Sequence, residues 1–411
     1  MDRFFGIIGI FTFLLLAFLM SNNRKAINYR LVGVGLLLQI SMALFILKTD
    51  IGKGIFGWIA QFISKILDFS DQGAQFVFGV LVNKAVLSQV LGSSNAFIFF
   101  FKIIPTIIFV AVLVNIAYHL GIMQRVVSFF AWIVNKLMGA SGSEALSNVG
   151  SIFVGQVEAQ IMIKPYVKGM TKSELLASMS GSMACIAGGV MAVYISMGVP
   201  AQYLLAASLM AAPGALVISK IVYPETEESQ TKGSVTLKIE KNHANLMDAI
   251  SHGASDGLKI SLNVIAMLLG FIALIAMIDA GLGWMGELLG IPLNLTLVLG
   301  TLFSGFAYIM GVPSQDIQIV GGLMGKKMVI NEFVAYSELV PIMNQLNPKS
   351  LVIVSFALCG FANFSSIAIQ VGGIGEIAPS RRSDLAALGF KAMICGTLAS
   401  YMSATIAGIL S

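Results

Sequence analysis

Residues 141–172 read SGSEALSNVGSIFVGQVEAQIMIKPYVKGMTK, and this stretch decides the fold. Two short apolar pieces flank the sequence GQVE at 155–158, and three lysines follow before residue 173. A helix needs about 20 apolar residues to cross a bilayer, so neither piece can span alone. Irregular backbone at membrane depth is tolerated only where protein covers it or where it lines a cavity. The stretch therefore predicts a re-entrant hairpin that enters and leaves the membrane on the cytoplasmic side.

The composition of the whole chain indicates that this hairpin belongs to a membrane protein. Of the 411 residues, 57% are hydrophobic and 11% are charged. A soluble domain carries about 25% charged residues, so most of the apolar surface must face a lipid bilayer. Apolar runs predict the eight spans of an all-α polytopic membrane protein, at about 4–20, 31–48, 96–118, 174–197, 201–219, 258–278, 350–371 and 384–410.

Charged residues predict the orientation of the chain and the segments that lie outside the bilayer. A basic loop at 24–30 indicates a cytoplasmic connection between the first two spans, so we expect both termini outside. Residues 51–92 are amphipathic and broken, which predicts helices on the outer membrane surface. Residues 246–257 predict a short surface helix, and the polar residues 221–245 predict a cytoplasmic linker. The net charge of +5 is spread over short loops, which does not favour nucleic-acid binding.

A second hairpin is predicted within residues 291–345, although hydropathy does not define its arms. An apolar run at 293–311 precedes a glycine-rich piece and then the sequence NEFVAY at 331–336. The order of hairpin, interrupted helix and final helix occurs in 141–219 and again in about 312–410. Since a re-entrant hairpin reverses the chain direction, the two copies can form inverted repeats. Paired broken segments in two halves of a transporter are typical of its binding site.

Two glutamates in these broken segments are the main candidates for function. A carboxylate at membrane depth costs a few kcal/mol, so Glu158 and Glu332 call for a functional explanation. Each lies beside an amide, Gln156 or Asn331. Gln156 and Glu158 are two residues apart and would point to different faces of a helix. Both can reach one ligand only if the backbone is unwound, which Gly155 permits.

The interrupted helices add further polar groups. They carry CIAGG at 185–189 and CGFANFSS at 359–366, and within the second Asn363 and Ser366 share a helix face. Carboxylates, amides and a hydroxyl suit a neutral, hydroxyl-rich ligand with an amide-like edge. No arginine lies near, so a phosphate or carboxylate substrate is not favoured. The polar groups are isolated rather than arranged in the rings expected of a channel.

Other residues do not indicate a metal centre or an enzyme. The three cysteines, Cys185, Cys359 and Cys395, lie in apolar segments without CxxC spacing, which excludes a disulfide scaffold and offers no zinc site. The apolar segments contain no nucleophile and base arrangement, so we expect no enzyme and no cofactor. A passive channel and a membrane enzyme remain only as remote alternatives to a transporter.

The motifs resemble the concentrative nucleoside transporters in their short, bacterial form, over nearly the whole chain. The resemblance rests on GQVEA at 155–159, NEFVAY at 331–336, and ALCGFANFSSIAIQ at 357–370 followed by GGIGEIAPSRR. It implies a homotrimer of eight-span protomers, each with two re-entrant hairpins and interfacial helices. It also implies an elevator-type movement that imports nucleosides such as uridine across the bacterial inner membrane, driven by a sodium or proton gradient.

The same resemblance implies a division of the chain into a scaffold and a transport domain. The scaffold would comprise mainly residues 1–140 and the sixth span in 258–290. The transport domain would comprise repeat one at 141–220 and repeat two at 291–411. Residues 221–257 would form the cytoplasmic linker and an interfacial helix.

The resemblance also assigns substrate-binding residues. On the first hairpin and the fourth span, Gln156, Val157, Glu158 and Val190 would meet the nucleobase. Glu332, Asn363 and Ser366 would meet the ribose hydroxyls, and Phe361 would border the pocket.

The coupling cation is the open point of the resemblance. The resemblance implies a sodium site in this chain formed by Ser151, Val154, Cys185 and Ile186. Sodium-coupled members carry asparagine at the position of Ser151 and a hydroxyl residue at that of Cys185. Sodium prefers hard oxygen ligands, and a thiol is a poor substitute. We expect Na⁺ on family grounds, and H⁺ coupling through Glu158 or Glu332 is the alternative.

Overall fold

The computed structural model describes residues 2–91, 98–231, 233 and 244–411, and their regular structure is entirely helical. Residues 232 and 234–243 of the polar linker expected at 221–245 lie outside the described residues, as does the start of the span expected at 96–118. Helix α1 (Asp2–Leu19) and helix α2 (Tyr29–Lys48) form the first two predicted spans. Asn28 begins α2 by accepting a hydrogen bond from the Leu31 amide at 3.1 Å, as an N-cap residue does.

The segment expected to be broken surface helices is largely one helix. Helix α3 (Asp50–Phe78) is continuous over 29 residues, and helix α4 (Lys84–Leu91) follows a short 3₁₀ turn. The expectation of a broken segment is therefore wrong for residues 50–78. Its glycines do not interrupt the helix, because each costs only about 1 kcal/mol relative to alanine. A location of α3 on the outer membrane surface stays a prediction.

Helix α5 (Phe99–His119) is the third predicted span, and helix α6 (Ile122–Met138) is an element that the sequence interpretation missed. Helix α6 buries Val127, Ala131, Val134 and Met138, which recur at the spacing of one helix face. Gly121 and Gly139 bound it with φ angles of +71° and +70°, a conformation that glycine adopts without strain.

The predicted first hairpin and the interrupted helix after it are both present. The hairpin consists of α7 (Gly142–Phe153), α8 (Glu158–Met162) and α9 (Lys164–Val167), and its tip at 154–157 is not helical. A capping box formed by Ser141 and Glu144 begins α7. The next elements are α10 (Lys172–Ala184), α11 (Gly188–Met197) and α12 (Ala201–Val222). The break between α10 and α11 falls on the predicted CIAGG sequence.

Residues 246–289 form one helix, α13 (Leu246–Leu289), of 44 residues. The expected separation into a surface helix at 246–257 and a span from 258 is therefore wrong. The change in polarity at this point does not break a helix, because no proline interrupts the sequence. Gly253 and Gly257 instead let α13 approach the α5 backbone closely: a Cβ at Gly257 would lie 2.6 Å from the Ile108 Cα.

The remaining helices contain the second hairpin and the second interrupted helix. They are α14 (Leu295–Ile309), α15 (Ile317–Val329), α16 (Glu332–Leu339), α17 (Pro348–Leu358), α18 (Phe364–Ile377) and α19 (Arg382–Leu410). The arms of the second hairpin are α15 and α16, and a 3₁₀ segment (Val340–Gln345) follows them. The break between α17 and α18 falls on the predicted CGFAN sequence.

The two halves of the chain share one order of elements. A long helix, a short helix, a hairpin, an interrupted helix and a final helix occur as α5–α12 and again as α13–α19. The sequence interpretation assigned the last three elements of each copy to the repeat and left the first two outside it. Each of the eight predicted spans corresponds to helix in the described residues, and two of them are interrupted at the predicted breaks. The division of the chain into scaffold and transport domains stays a prediction.

By length and composition, seven helical segments in the described part of the chain are able to cross a membrane. They are Tyr29–Lys48, Asp50–Val90, Phe99–His119, Lys172–Met197, Ala201–Val222, Leu246–Leu289 and Pro379–Leu410. Segments of α12 and α19 are more than four-fifths buried in protein, whereas that of α13 is 6% buried. Helices α12 and α19 therefore form the centre of the molecule, and α13 presents its apolar side chains outward.

Candidate functional site

The breaks of the two interrupted helices contact each other. The Phe361 amide donates a hydrogen bond to the Cys185 carbonyl oxygen at 3.2 Å. Gly360 has a φ angle of +151°, and a Cβ at this position would lie 2.7 Å from the Ala184 carbonyl oxygen. Glycine at 360 is therefore required both by the backbone angle and by the close approach. This contact brings the residues after each break to the centre of the molecule.

Glu332 is held at this centre by a side chain from the second break. Asn363 is the N-cap of α18, and its carbonyl oxygen accepts a hydrogen bond from the Ser366 amide at 2.9 Å. Its amide group remains free to donate, and it does so to Glu332 Oε2 at 3.0 Å. Glu332 itself is the first residue of α16 and is 6% exposed. A carboxylate at a helix N-terminus is favoured by the helix dipole.

The tip of the first hairpin adds an amide next to these groups. The Gln156 side-chain nitrogen lies 3.4 Å from Ser366 Oγ, and its oxygen lies 3.4 Å from the Gln370 side-chain nitrogen. Gln370 also donates to the Met179 carbonyl oxygen on α10 at 3.2 Å. The three residues thus join the first hairpin, α10 and α18 through weak contacts whose donors and acceptors a ligand can replace.

A cavity of about 170 Å³ lies among these side chains. Its polar and aromatic lining comes from Gln156, Asn331, Glu332, Phe333, Phe361, Asn363, Ser365 and Ser366. Its apolar lining comes from Val190, Ile369 and three α13 residues, Val264, Met267 and Leu268. An apolar cavity with a few convergent polar groups is typical of a site for a small molecule. Six of the eight predicted substrate-binding residues are therefore brought together here.

The other two predicted residues, Val157 and Glu158, do not line this cavity. Val157 lies against α18, where a Cβ at Gly373 would come within 2.7 Å of it. Glu158 is exposed, and its carboxylate folds over Gly155, where a Cβ would collide with it. The hairpin tip is unwound as expected, but the unwound backbone directs Gln156 and Glu158 to different places. Their joint role in binding stays a prediction.

The four residues assigned to a sodium site lie at facing helix ends. Ser151 and Val154 are at the end of α7, and Cys185 and Ile186 are at the break after α10. The Ser151 hydroxyl donates to the Ser147 carbonyl oxygen at 2.7 Å and lies 2.8 Å from the Ser182 hydroxyl. The oxygens of Ser151, Val154 and Ile186 are suitable ligands for Na⁺, whereas the Cys185 thiol is not.

A second, more open depression of about 490 Å³ lies between α3 and the start of α12. Its lining includes Lys65 and Asp68 on α3 and the turn at 199–201. None of the predicted site residues lines it. The smaller cavity is the better candidate because carboxylate, amide and hydroxyl groups converge there.

The sequence interpretation missed Gln370, which contacts Gln156 beside the cavity, and several residues that line the cavity itself. Gln370 lies one helical turn after Ser366 within a quoted motif, so its i+4 spacing was a usable signal. Val264, Met267 and Leu268 are apolar residues of a long apolar helix, and nothing in the sequence distinguishes them from lipid-facing neighbours. Their positions become evident only from the packed fold, in which α13 lies along α5 and these three side chains reach the cavity.

Family models match most of the chain. Residues 203–408 match the model described as Na+ dependent nucleoside transporter C-terminus, and residues 8–81 match the corresponding N-terminus. Residues 100–201 match a model described as Nucleoside recognition.

Individual proteins from bacteria and mammals are similar to this chain. The uncharacterized transporter YutK of Bacillus subtilis is 42% identical over 411 residues, which cover 100% of both chains. The nucleoside permease NupC of Helicobacter pylori is 39% identical over 98% of this chain and 97% of the permease. The sodium/nucleoside cotransporter 1 of Mus musculus is 38% identical over 98% of this chain and 63% of the mouse protein.

Solved structures of CNTnw have the same fold. An inward-facing, substrate-bound structure of CNTnw has a TM-score of 0.95 and 41% identity, covering 100% of this chain and 98% of CNTnw. A doubly substituted CNTnw in an outward-facing state has a TM-score of 0.94 with the same identity and coverage.

Proposed function

The chain belongs to the family of Na⁺-dependent nucleoside transporters, whose members are transporters and not enzymes, and we propose that it imports nucleosides such as uridine together with Na⁺. We further propose that it acts as a homotrimer in a bacterial inner membrane, and that an elevator-type movement carries the site across. Uridine is the proposed substrate because its ribose hydroxyls and its base edge match the groups of the cavity.

The observation that carries this proposal is the pair formed by Glu332 and Asn363 at the wall of the cavity. One oxygen of the carboxylate accepts from Asn363, and a carboxylate has further acceptor capacity for substrate hydroxyls. Ser366 lies one turn after Asn363 and adds a hydroxyl that both donates and accepts. Gln156 offers an amide, which is complementary to the amide-like edge of a nucleobase. Val190 and Phe361 supply apolar surface for the ring.

The proposal is tested by uptake of labelled uridine into proteoliposomes. Uptake is measured with an inward sodium gradient alone, an inward proton gradient alone, both gradients, and neither. Sodium-coupled import predicts accumulation above the external concentration whenever the sodium gradient is present. Absence of uptake under both gradients would contradict nucleoside import, and equilibration without accumulation would indicate a passive pore.

Proton coupling is the second candidate, and the environment of Ser151 favours it. The Ser151 hydroxyl already bonds within the protein, and Cys185 places a thiol where an oxygen ligand is expected. Proton coupling would instead use a carboxylate, Glu158 or Glu332. Accumulation with the proton gradient alone, and none with the sodium gradient alone, would replace the sodium proposal.

A further inference from the structure

Gln370 is a buried glutamine on α18 that the proposed function does not use. Its side chain is 0% exposed, and it ends the motif ALCGFANFSSIAIQ at 357–370. It does not line the cavity, but it contacts Gln156, which does. The polar atoms of a buried amide need hydrogen-bond partners, so the partners of Gln370 determine how its side chain is oriented.

A backbone carbonyl fixes the orientation of the Gln370 amide. The side-chain nitrogen donates to the Met179 carbonyl oxygen on α10 at 3.2 Å. A backbone carbonyl can only accept, so the nitrogen of Gln370, and not its oxygen, must face α10. The oxygen of Gln370 has no hydrogen-bond partner among the described residues, so no bond there favours the opposite orientation. The Met179 carbonyl therefore makes Gln370 a donor on this side.

The orientation of Gln370 in turn determines that of Gln156. The Gln370 nitrogen also donates to Gln156 Oε1, at 3.4 Å. If the Gln156 amide were reversed, two nitrogens that both donate would face each other at this distance. The oxygen of Gln156 is therefore turned to Gln370, and its nitrogen is turned to Ser366 Oγ, 3.4 Å away. Since Ser366 lines the cavity, Gln156 directs its nitrogen to the cavity side.

We propose that Gln370 is a positioning residue for nucleobase recognition: it holds the Gln156 amide so that its nitrogen, and not its oxygen, is presented to the base. Such a site favours a base edge that carries an acceptor, such as the 4-carbonyl group of uracil. It disfavours an edge that carries a donor there, such as the 4-amino group of cytosine. The inference rests on the proposed function, because it concerns how the same cavity distinguishes one nucleoside from another.

Affinities for uridine and cytidine, measured by calorimetry on purified protein, test the proposal. The decisive quantity is the ratio of the cytidine Kd to the uridine Kd, since a general structural defect weakens the binding of both alike. Gln370→Met removes the donor to Gln156 and keeps the length of the side chain, so either face of the Gln156 amide can then turn to the base. We expect the ratio to fall about fivefold, the effect of one net hydrogen bond. An unchanged ratio would overturn the proposal.

Gln370→Glu should shift the preference further toward cytidine. The atom that faces Gln156 is then an acceptor, whether the carboxyl group is ionised or donates its one proton to the Met179 carbonyl oxygen. Gln156 would turn its nitrogen to position 370 and its oxygen to the base. We expect the ratio to fall about tenfold or more. A ratio at or above the wild-type value would contradict the proposed orientation.

Gln156→Leu shows whether the effect passes through Gln156. In that background, Gln370→Met should change the ratio by less than about twofold, because no amide remains to be oriented. An equal fall of the ratio with and without the Gln156 amide would show that Gln370 acts on the base by another route, and would overturn the proposal.

Gln39→Met is the matched control. Gln39 is also 0% exposed, and its side-chain nitrogen donates to the Met210 carbonyl oxygen and to Ser403 Oγ, each at 3.0 Å. It lies on α2 and does not line the cavity. Its replacement should leave the ratio within about twofold of the wild-type value. A fall equal to that in Gln370→Met would show that the loss of any buried glutamine has this effect, and would refute the proposal.

If Gln370→Met does not fold, the comparison of Gln370→Glu with the wild type decides. If wild-type protein neither binds nor transports any nucleoside, the proposed function fails. If it binds nucleosides and the ratio is the same in the wild type and the Gln370 variants, only the inference about Gln370 fails.

Discussion

The two hairpins place a glutamate at the same point of their structure but in different environments. Glu158 is the first residue of α8, and Glu332 is the first residue of α16, each directly after a hairpin tip. Glu332 is buried and accepts a hydrogen bond from Asn363, whereas Glu158 is exposed and folds over Gly155. A repeated position in an inverted repeat therefore does not determine a repeated role.

The helix that follows each tip explains part of this difference. Helix α16 is eight residues long and begins with a capped turn, in which Asn331 accepts from the Val334 amide at 2.9 Å. Helix α8 has five residues, and its N-cap position is Val157, whose side chain cannot cap. The second hairpin thus holds its glutamate in the first turn of a capped helix. The first hairpin leaves its glutamate free to serve another purpose, such as contact with the coupling cation.

Replacing Glu332 with glutamine should give the largest loss of binding. The change keeps the side-chain size but removes the charge, and a hydrogen bond to a charged group contributes about 1.5–3 kcal/mol. We expect uridine affinity to fall about 12- to 150-fold, measured by calorimetry. Glu287→Gln, at an exposed position on α13, is the control. Binding at wild-type strength in Glu332→Gln would break the distinction between the hairpins.

Replacing Asn363 with alanine should give the next largest effect. The substitution removes the donor to Glu332 and also the N-cap of α18, and loss of a cap costs about 1 kcal/mol of stability. We expect uridine affinity to fall about tenfold. Asn294→Ala removes the equivalent cap of α14, where the side chain accepts from the Leu297 amide at 2.7 Å. Similar losses of affinity in both variants would show that only capping matters.

Replacing Glu158 with glutamine should weaken uridine binding only about threefold, because this carboxylate does not line the cavity. The same variant should lose much of the dependence of uptake on the coupling cation. Both quantities are measured in one set of proteoliposomes, with Glu332→Gln beside it for comparison. A loss of affinity in Glu158→Gln equal to that in Glu332→Gln would show that the hairpins contribute equally to binding.

Replacing Ser151 with asparagine should have the smallest effect and should act on the first hairpin alone. Asparagine adds a carbonyl oxygen, which is a better ligand for Na⁺ than a hydroxyl that bonds within the protein. We expect the sodium-dependent part of uridine uptake to rise about threefold, or about 0.7 kcal/mol in apparent sodium affinity. Ser143→Asn, at the other end of α7, is the control. If the sodium dependence of uridine uptake is unchanged in Ser151→Asn, Ser151 does not take part in cation coupling.

Composition and local patterns were sufficient to predict that the chain is a membrane protein, and to locate the eight spans, both hairpins and both helix breaks. The physical reason is that these features are short-range. The ratio of apolar to charged residues determines whether a bilayer is needed, and an apolar arm shorter than a span must turn back. Polar residues beside glycine in an apolar segment indicate unwound backbone. Glu332, Asn363 and Ser366 were identified in this way.

The tertiary structure decided which of these groups meet. The unwound tip separates Gln156 from Glu158, and α13 continues as one helix that lines the cavity with apolar side chains. Lys327 donates to the Ala357 carbonyl oxygen, whereas the adjacent Lys326 pairs with Glu338. Outside regular helices the direction of a side chain has no fixed period, so it depends on the segment packed against it. Those contacts join residues more than a hundred positions apart, as between Gln156 and Gln370, and only the packed fold contains them.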